Sequence, residues 1–419
     1  MPKTFNRKDQ NFSRVAGAGL PAVKAVSSTS NKLGKHLLFD GDGIAIKTND
    51  NYPQILAQIA AESPTHGSAI NCKSMLVFGQ GVPIEEIQDE KAKIFLLDCN
   101  KWGESINDIL ERVAIDINIF DGFALLVEWN VYGAIAYIDH VPFKNVRISD
   151  IDEVGRPNSY VVSNYWGNSK LPQQLRKEYN IPAFDPSKIN KAEGTEEEGF
   201  RVNEQTANNR KQLVYYRGYS AAFDGFYPVP KYAHCLDAIL TEISIGIAIK
   251  KGQDNGISGA YIVSHTKDTV ASEEGKQQMT ETLTDVAAGS ANANSIFYLP
   301  VSVNVDKLEP VSGKTFTLLD TKVKQDIVTG HLIPAILLEL SKGGGFNNRG
   351  EEMREAIKQV EARLTKGIRQ KITRVFNSVL SHVKGDFKDF LILPFLTEEE
   401  TKEEVIQEAK KEEDQAGIK

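Results

Sequence analysis

Between Met353 and Val379 apolar residues return every three or four positions: Met353, Ile357, Val360, Leu364, Ile368, Ile372, Phe376 and Val379, with charged residues between them. That period places them on one stripe of a long helix whose stripe packs into a core, and Gly367 within it marks a kink. Ile106, Ile109, Leu110, Val113 and Ile117 predict an amphipathic helix from Ser105 to Ile117. Tyr52 to Gly79 is helical with a break at Ser63-Pro64, because proline disfavours helical geometry in the residue before it. Two further helices are predicted, Lys231 to Lys251 with Leu236, Ile239, Leu240, Ile243 and Ile247, and Thr317 to Thr329 with Val323 and Ile327. Each is apolar around more of its circumference than one partner requires. Intersubunit packing is therefore expected, with Leu236, Ile239, Ile243, Ile247, Val323 and Ile327 as its residues. Gly246 costs about 1 kcal/mol relative to Ala in a helix interior; close packing against a neighbour and wobble in an overlong helix both account for it.

Strand-like runs cover Gly122 to Trp129 and Ala134 to His140, joined as a hairpin by Asn130-Val131-Tyr132-Gly133. Another pair is expected at Val146 to Ile148 and Ser159 to Tyr165, and a further strand at Gln212 to Tyr216. Between the two all-round apolar helices the pattern gives a strand at Gly259 to Ser264, a helix from Ser272 to Ala287, and strands at Ser295 to Leu299 and Val303 to Leu308. The fold class is α+β. Met1 to about Asn49 has little periodicity and is expected to be flexible, and Leu171 to Lys211 is expected to be a surface insertion of low order.

The 419 residues are 41% hydrophobic and 25% charged, ordinary for a folded protein of two or three domains. No apolar run approaches the roughly 20 residues that span a bilayer, and the N-terminus lacks a signal-peptide core, so a cytoplasmic product is expected. Cys72, Cys99 and Cys235 are widely spaced and form no CxxC pair, which indicates neither a disulfide framework nor a zinc site. Ser312-Gly313-Lys314-Thr315 imitates the end of a phosphate loop, but Leu308 stands where the first glycine belongs. Asp40-Gly41-Asp42-Gly43 lacks the third acidic position and the glutamate of a calcium loop. The seven histidines form no HExxH, and there is no GxSxG turn. No catalytic constellation emerges; no enzyme activity and no cofactor are expected.

The segment Ser341-Lys342-Gly343-Gly344-Gly345-Phe346-Asn347-Asn348-Arg349-Gly350 separates two helix-length patterns and is polar and glycine-rich. Helix, small mixed insert, helix, flexible loop and long helix, in that order, resemble the portal proteins of tailed bacteriophages, the head-tail connector rings of the siphophage-like type. Ser63-Pro64-Thr65-His66-Gly67-Ser68-Ala69-Ile70-Asn71-Cys72-Lys73 is similar to their early wing helix. Tyr215-Tyr216-Arg217-Gly218-Tyr219 and Phe226-Tyr227-Pro228-Val229-Pro230 resemble the strand that leads into the stem. Gly330-His331-Leu332-Ile333-Pro334-Ala335-Ile336-Leu337-Leu338 resembles the passage from second stem helix to tunnel loop. The resemblance spans roughly Asn51 to Val383; the basic N-terminal extension and the long polar wing insertion depart from it.

The resemblance implies a basic N-terminal arm (1–50), the first part of a wing (51–228), a stem helix (229–256), a clip (257–313), a second stem helix (314–333), a tunnel loop (334–350), a wing helix (351–392) and an acidic tail or crown (393–419). It implies a ring, twelve copies in the family pattern, at one capsid vertex through which double-stranded DNA is packaged and ejected. In it, Lys342, Gly343, Gly344, Gly345, Phe346, Asn347, Asn348 and Arg349 line the channel. Glu273, Glu274, Lys276, Gln277 and Glu281 on the clip helix meet the terminase large subunit and then neck or adaptor proteins. Major capsid and scaffold proteins are the remaining implied partners, and the location is the virion after assembly in the host cytoplasm. The alternatives are another phage head structural protein or an unrelated nucleotide-dependent enzyme.

A net charge of -7 runs against a tight DNA binder, since Lys and Arg supply most non-specific affinity for phosphate. A conduit differs, because DNA must slide and a mildly acidic wall keeps the duplex centred. Lys3, Arg7, Lys8, Arg14, Lys24, Lys32 and Lys35 oppose Asp9 alone before Asp40, whereas Glu398 to Asp414 is acidic in excess.

Overall fold

The computed structural model describes residues 32–33, 36–37, 50–153, 155–166, 172–189, 210–219, 226–254, 260–265, 303–308, 313–338, 349–388 and 390–396. Short strands β1 (Lys32–Leu33) and β2 (His36–Leu37) pair with each other inside the stretch expected to lack structure. Helices α1 (Tyr52–Glu62) and α2 (Pro64–Phe78) are divided by Ser63 alone. Its extended backbone and a hydroxyl that accepts from the His66 N–H, with Pro64 in the first turn, make the expected break a capped restart. Helix α3 (Glu90–Leu97) had no expectation attached to it. Helix α4 (Ile106–Phe120) opens with a reciprocal box in which the Asp108 carboxylate accepts from the Ser105 N–H at 2.8 Å and the Ser105 hydroxyl accepts from the Asp108 N–H.

Strands β3 (Gly122–Trp129) and β4 (Ile135–Val141) form the expected hairpin. They are followed by β5 (Val146–Ile151), β6 (Pro157–Ser163), β7 (Glu178–Pro182) and β8 (Lys211–Arg217). Two antiparallel three-stranded sheets result, ordered β4-β3-β8 and β5-β6-β7, and a bridge from Ala183 to Leu213 joins them. That bridge corrects the expectation for Leu171 to Lys211. The insertion supplies β7, and Phe184 and Ile189 pack on the core; residues 190–209 of it lie outside the described residues.

Strand β3 shows why two cores exist. Its odd positions Phe123, Leu125 and Val127 enter one with α4, whereas Ala124 and Leu126 face a second with α1 and β5, the period-two alternation of a strand buried on both sides. The second core contains an aromatic column, Phe120, Phe143, Tyr215 and Tyr160, with successive centroids 5.5, 5.2 and 5.0 Å apart. Arg147, fully buried beside it, ties β5 to the start of α1 through an ion pair with Asp50 at 2.8 Å and bonds to Asp50 O and Gln54.

Helix α5 (Leu236–Asp254) begins five residues later than expected, after a 3-10 turn at Ala233–Cys235. Strands β9 (Ala260–His265) and β10 (Val303–Leu308) pair antiparallel, and α6 (Gly313–His331) returns beside α5. The end of α5 and the start of α6 flank β9 and β10 in the chain, so the strand pair projects from the end of the helix pair remote from the sheets. The phosphate-loop imitation sits between β10 and the first turn of α6. The helix expected at Ser272 to Ala287 and the strand at Ser295 to Leu299 lie outside the described residues.

The long C-terminal pattern resolves into α7 (Arg349–Val360), a π turn at Glu361–Thr365 and α8 (Lys366–Leu380). The irregularity therefore precedes Gly367, the residue expected to mark a kink. Val360, Ile372, Phe376 and Val379 are buried as the stripe requires, but so are Glu361, Thr365 and Arg369. One extra residue in the π turn brings this second, polar row to the inside. After α8 the chain turns back: Phe390 and Ile392 are buried in the first core and Leu393 bridges to Gly81.

Candidate functional site

The helix pair α5 and α6 carries most of the residues marked for assembly. Leu236, Ile239, Val323 and Ile327 are buried inside the subunit, in the core shared with α1 and β5, and the intersubunit role assigned to them narrows accordingly. Ile243 is half-buried and Ile247 is 51% exposed. Beyond Ile245 every described residue of α5 up to Lys250 is exposed, and on α6 so are Thr317, Leu318 and Leu319. The half of the pair nearest the sheets is thus packed and the far half is bare, although it presents Ile247, Ile249, Leu318 and Leu319 to solvent.

A groove of about 540 Å³ runs from Glu62 and Pro64 at the α1–α2 corner along α5, past Glu242, Ile243, Ile245, Gly246, Ile247, Ile249 and Lys250, with Asp320 and Lys324 of α6 beside it. Asp320 and Lys324 form an i,i+4 ion pair at 2.7 Å on its opposite wall. A Cβ on Gly246 would meet nothing within 4 Å. No neighbour among the described residues explains that glycine.

At the other end of the pair the helices meet α2 in a polar joint that sequence reasoning missed. Gly330 crosses Cys235 so closely that a Cβ would lie 2.5 Å from the thiol sulfur. His331, the last residue of α6, stacks on Tyr232 with centroids 5.1 Å apart, and His66 meets the edge of the same ring at 4.5 Å. Tyr232 is held by a bond from its hydroxyl to Ile119 O at 2.8 Å. His66 Nδ1 and His331 Nε2 are 2.8 Å apart, and Lys73 Nζ is 3.3 Å from His331 Nδ1. Burial, then the Lys73 charge, lowers His66 to about 4; burial, Lys73 and the other histidines lower His331 to about 2. Burial brings Lys73 down to about 8. One turn away, the buried Glu242 carboxylate accepts from the Thr65 hydroxyl at 2.6 Å and from the Ser63 hydroxyl, which ties α5 to the cap of α2.

The backbone leaving this joint is strained. Leu332 N–H donates to Thr329 O at 3.0 Å and Ile333 N–H to Val328 O at 3.4 Å, the paired closing bonds of a left-handed helix end. Glycine normally occupies the position that Leu332 fills at φ 55°. Leu332→Gly is expected to stabilise the subunit by roughly 0.5–1 kcal/mol, the relief of left-handed strain less the entropy of a freer unfolded chain. Urea denaturation of both proteins checks it, and a lower midpoint for the glycine variant contradicts it.

Of the channel residues, Lys342 to Asn348 lie outside the described residues, and Arg349 is the first residue of α7. Glu273, Glu274, Lys276, Gln277 and Glu281 also lie outside them.

No family model and no curated protein matches the chain. Among solved structures it is similar to the neck of a native gene transfer agent particle computed with C12 symmetry, at 9% identity and a TM-score of 0.47, over 82% of this chain and 86% of that one. It is also similar to an HK97-family phage portal protein from Corynebacterium diphtheriae, at 11% identity and a TM-score of 0.48, over 77% of this chain and 88% of that one. The virion of a native gene transfer agent particle gives 11% identity and a TM-score of 0.45, over 80% and 84%.

Proposed function

We propose that this chain is the subunit of a portal ring, the assembly at one capsid vertex through which double-stranded DNA enters and leaves. The observation that carries the proposal is the bare, apolar far half of the α5/α6 pair. Measured from the Cys235–Gly330 contact, Ile247 and Leu318 both lie about 18 Å along their helices, at one level. Among the described residues nothing covers Ile247, Ile249, Leu318 and Leu319. A neighbouring copy does. Because the groove and the Leu318–Leu319 side are different surfaces, their contact is heterologous, and repeating it about an axis closes a ring.

The chain order supports the same reading: α5, the β9–β10 insert, α6, then the segment leading to the long helix formed by α7 and α8 correspond to stem, clip, stem, tunnel loop and wing helix. In the ring the Lys342–Arg349 segment follows α6 and faces the channel, the clip docks the terminase large subunit and then neck proteins, and the wing meets capsid and scaffold proteins. The chemistry required of it is mechanical, with no catalytic residue.

Light scattering and negative-stain imaging of the purified chain test the assembly. A large ring with a central hole is expected, and a monomer at every concentration refutes it. Deleting Gly343 to Asn347 is then expected to leave rings intact while impairing DNA packaging or retention, measured as packaged genome per particle. Full packaging by the deletion variant removes the loop from the channel function.

A further inference from the structure

We infer that His66, His331 and Lys73 form a proton-sensitive clasp, a hydrogen-bonded series that holds the end of α6 against α2 and opens when either imidazole gains a proton. The clasp belongs to the subunit and stands whether or not rings form.

The argument starts from donors and acceptors. An ammonium on Lys73 has only protons to offer, so His331 Nδ1 accepts. A neutral ring with Nδ1 accepting carries its proton on Nε2, so His331 donates to His66 Nδ1 across 2.8 Å. His66 in turn carries its proton on Nε2, an atom that is buried and finds no partner among the described residues. The proton positions of all three groups thus follow from one charge. Each ring then has a single nitrogen left to protonate, and in each ring that nitrogen is the acceptor of the series. A proton on His66 sets two N–H groups against each other, and a proton on His331 sets an N–H against the Lys73 ammonium.

Among the described residues no carboxylate is hydrogen-bonded to either ring. From α2 the facing groups are Lys73 and Cys72; from the turn before α5 they are Lys231, Tyr232, His234 and Cys235. Asp326 of α6 acts on Cys235, and Tyr52 of α1 lies beside Tyr232. Asp121, at the end of α4, is the one carboxylate acting on Lys73, and it is already paired with Lys231 at 3.2 Å. Glu242 is committed to Ser63 and Thr65.

The lowered affinity of both rings for protons agrees with this geometry. The sign follows: a histidine whose folded value lies below its ordinary 6.5 adds stability that is complete above pH 6.5 and is lost as pH falls toward about 4. Within that window each histidine shifts the closed-to-open ratio by up to about tenfold per pH unit. Opening releases His331 and with it the strained Leu332 turn.

The test is hydrogen exchange on the full chain, expressed as protection factors so that intrinsic pH effects cancel. Between pH 6.5 and pH 5 the Leu332 and Ile333 amides of the wild type are expected to lose protection by about tenfold or more, while the middle of α4 keeps its own. In His66→Asn/His331→Gln, where an amide oxygen replaces Nδ1 of His66 and an amide nitrogen replaces Nε2 of His331, the same amides are expected to change less than about twofold. Equal loss in both proteins, or none in the wild type, overturns the clasp. Nitrogen NMR of the wild-type imidazoles at pH 7 gives a second measurement that needs no variant. Protons on Nε2 of both rings support the series, and a proton on Nδ1 of His66 refutes it.

Discussion

Replacing Ile327 with glutamate unfolds the subunit, whereas replacing Ile247 with glutamate leaves it folded and unable to close a ring. The two residues stand on the paired helices and read alike in the sequence. Ile327 is 0% exposed in the core shared by α1, β5 and the helix pair. A carboxylate there has neither water nor a counter-charge, and the several kcal/mol this costs rival the roughly 5–15 kcal/mol that hold a typical domain. Ile247 is half exposed, and a surface change of this kind alters subunit stability by no more than about 0.5 kcal/mol. Its effect falls on association, where a charge must be desolvated between the groove and the next copy. Circular dichroism with urea gives the first quantity and light scattering the second. Rings formed by Ile247→Glu as readily as by the wild type would move the interface away from the groove.

This pair of outcomes also shows what could be read before the structure. Period located α4 and the long C-terminal helix, because each buries a regular stripe and the hydrophobic pattern records burial, while β-rich runs located β3, β4 and β8. It could not say which copy of the chain does the burying. Leu236 and Ile247 look alike on a helical wheel, and only the position of α1 and the sheets separates the one packed inside the subunit from the one left bare. The polar joint was illegible for a related reason: His66 and His331 are 265 positions apart, and a lone histidine in an apolar pattern carries no signal of its partner. Gly330 lies within a family-like segment, but its function, to let α6 cross Cys235, shows only in their contact. Strand β7 escaped because its sequence is polar, as an edge strand exposed along much of its length permits.

The largest single loss of stability outside the apolar core is expected from Arg369→Ala. Glu361, Thr365 and Arg369 lie between the apolar positions of the long helix, yet the π turn rotates all three inward. There Arg369 Nη1 donates to Leu76 O at 2.6 Å, to Glu361 Oε1 at 3.2 Å and to Thr365. Glu361 Oε1 also accepts from the Phe395 N–H at 2.8 Å, so one buried ion pair joins α2, the π turn and the C-terminal segment that bridges to Gly81. Truncating the arginine leaves the buried Glu361 carboxylate without its counter-charge and the Leu76 carbonyl without its donor. Breaking such a pair costs about 3–5 kcal/mol, a fall in melting temperature on the order of 10 °C. Removing both charges together, in Arg369→Met with Glu361→Leu, is expected to recover most of that loss, because the apolar pair needs no desolvation and only the Phe395 N–H and Leu76 O remain to be satisfied. Thermal unfolding of the two variants decides the matter. A single variant within about 1 kcal/mol of wild type, or a double variant worse than the single, would show that the π turn is held by its apolar neighbours and not by this pair.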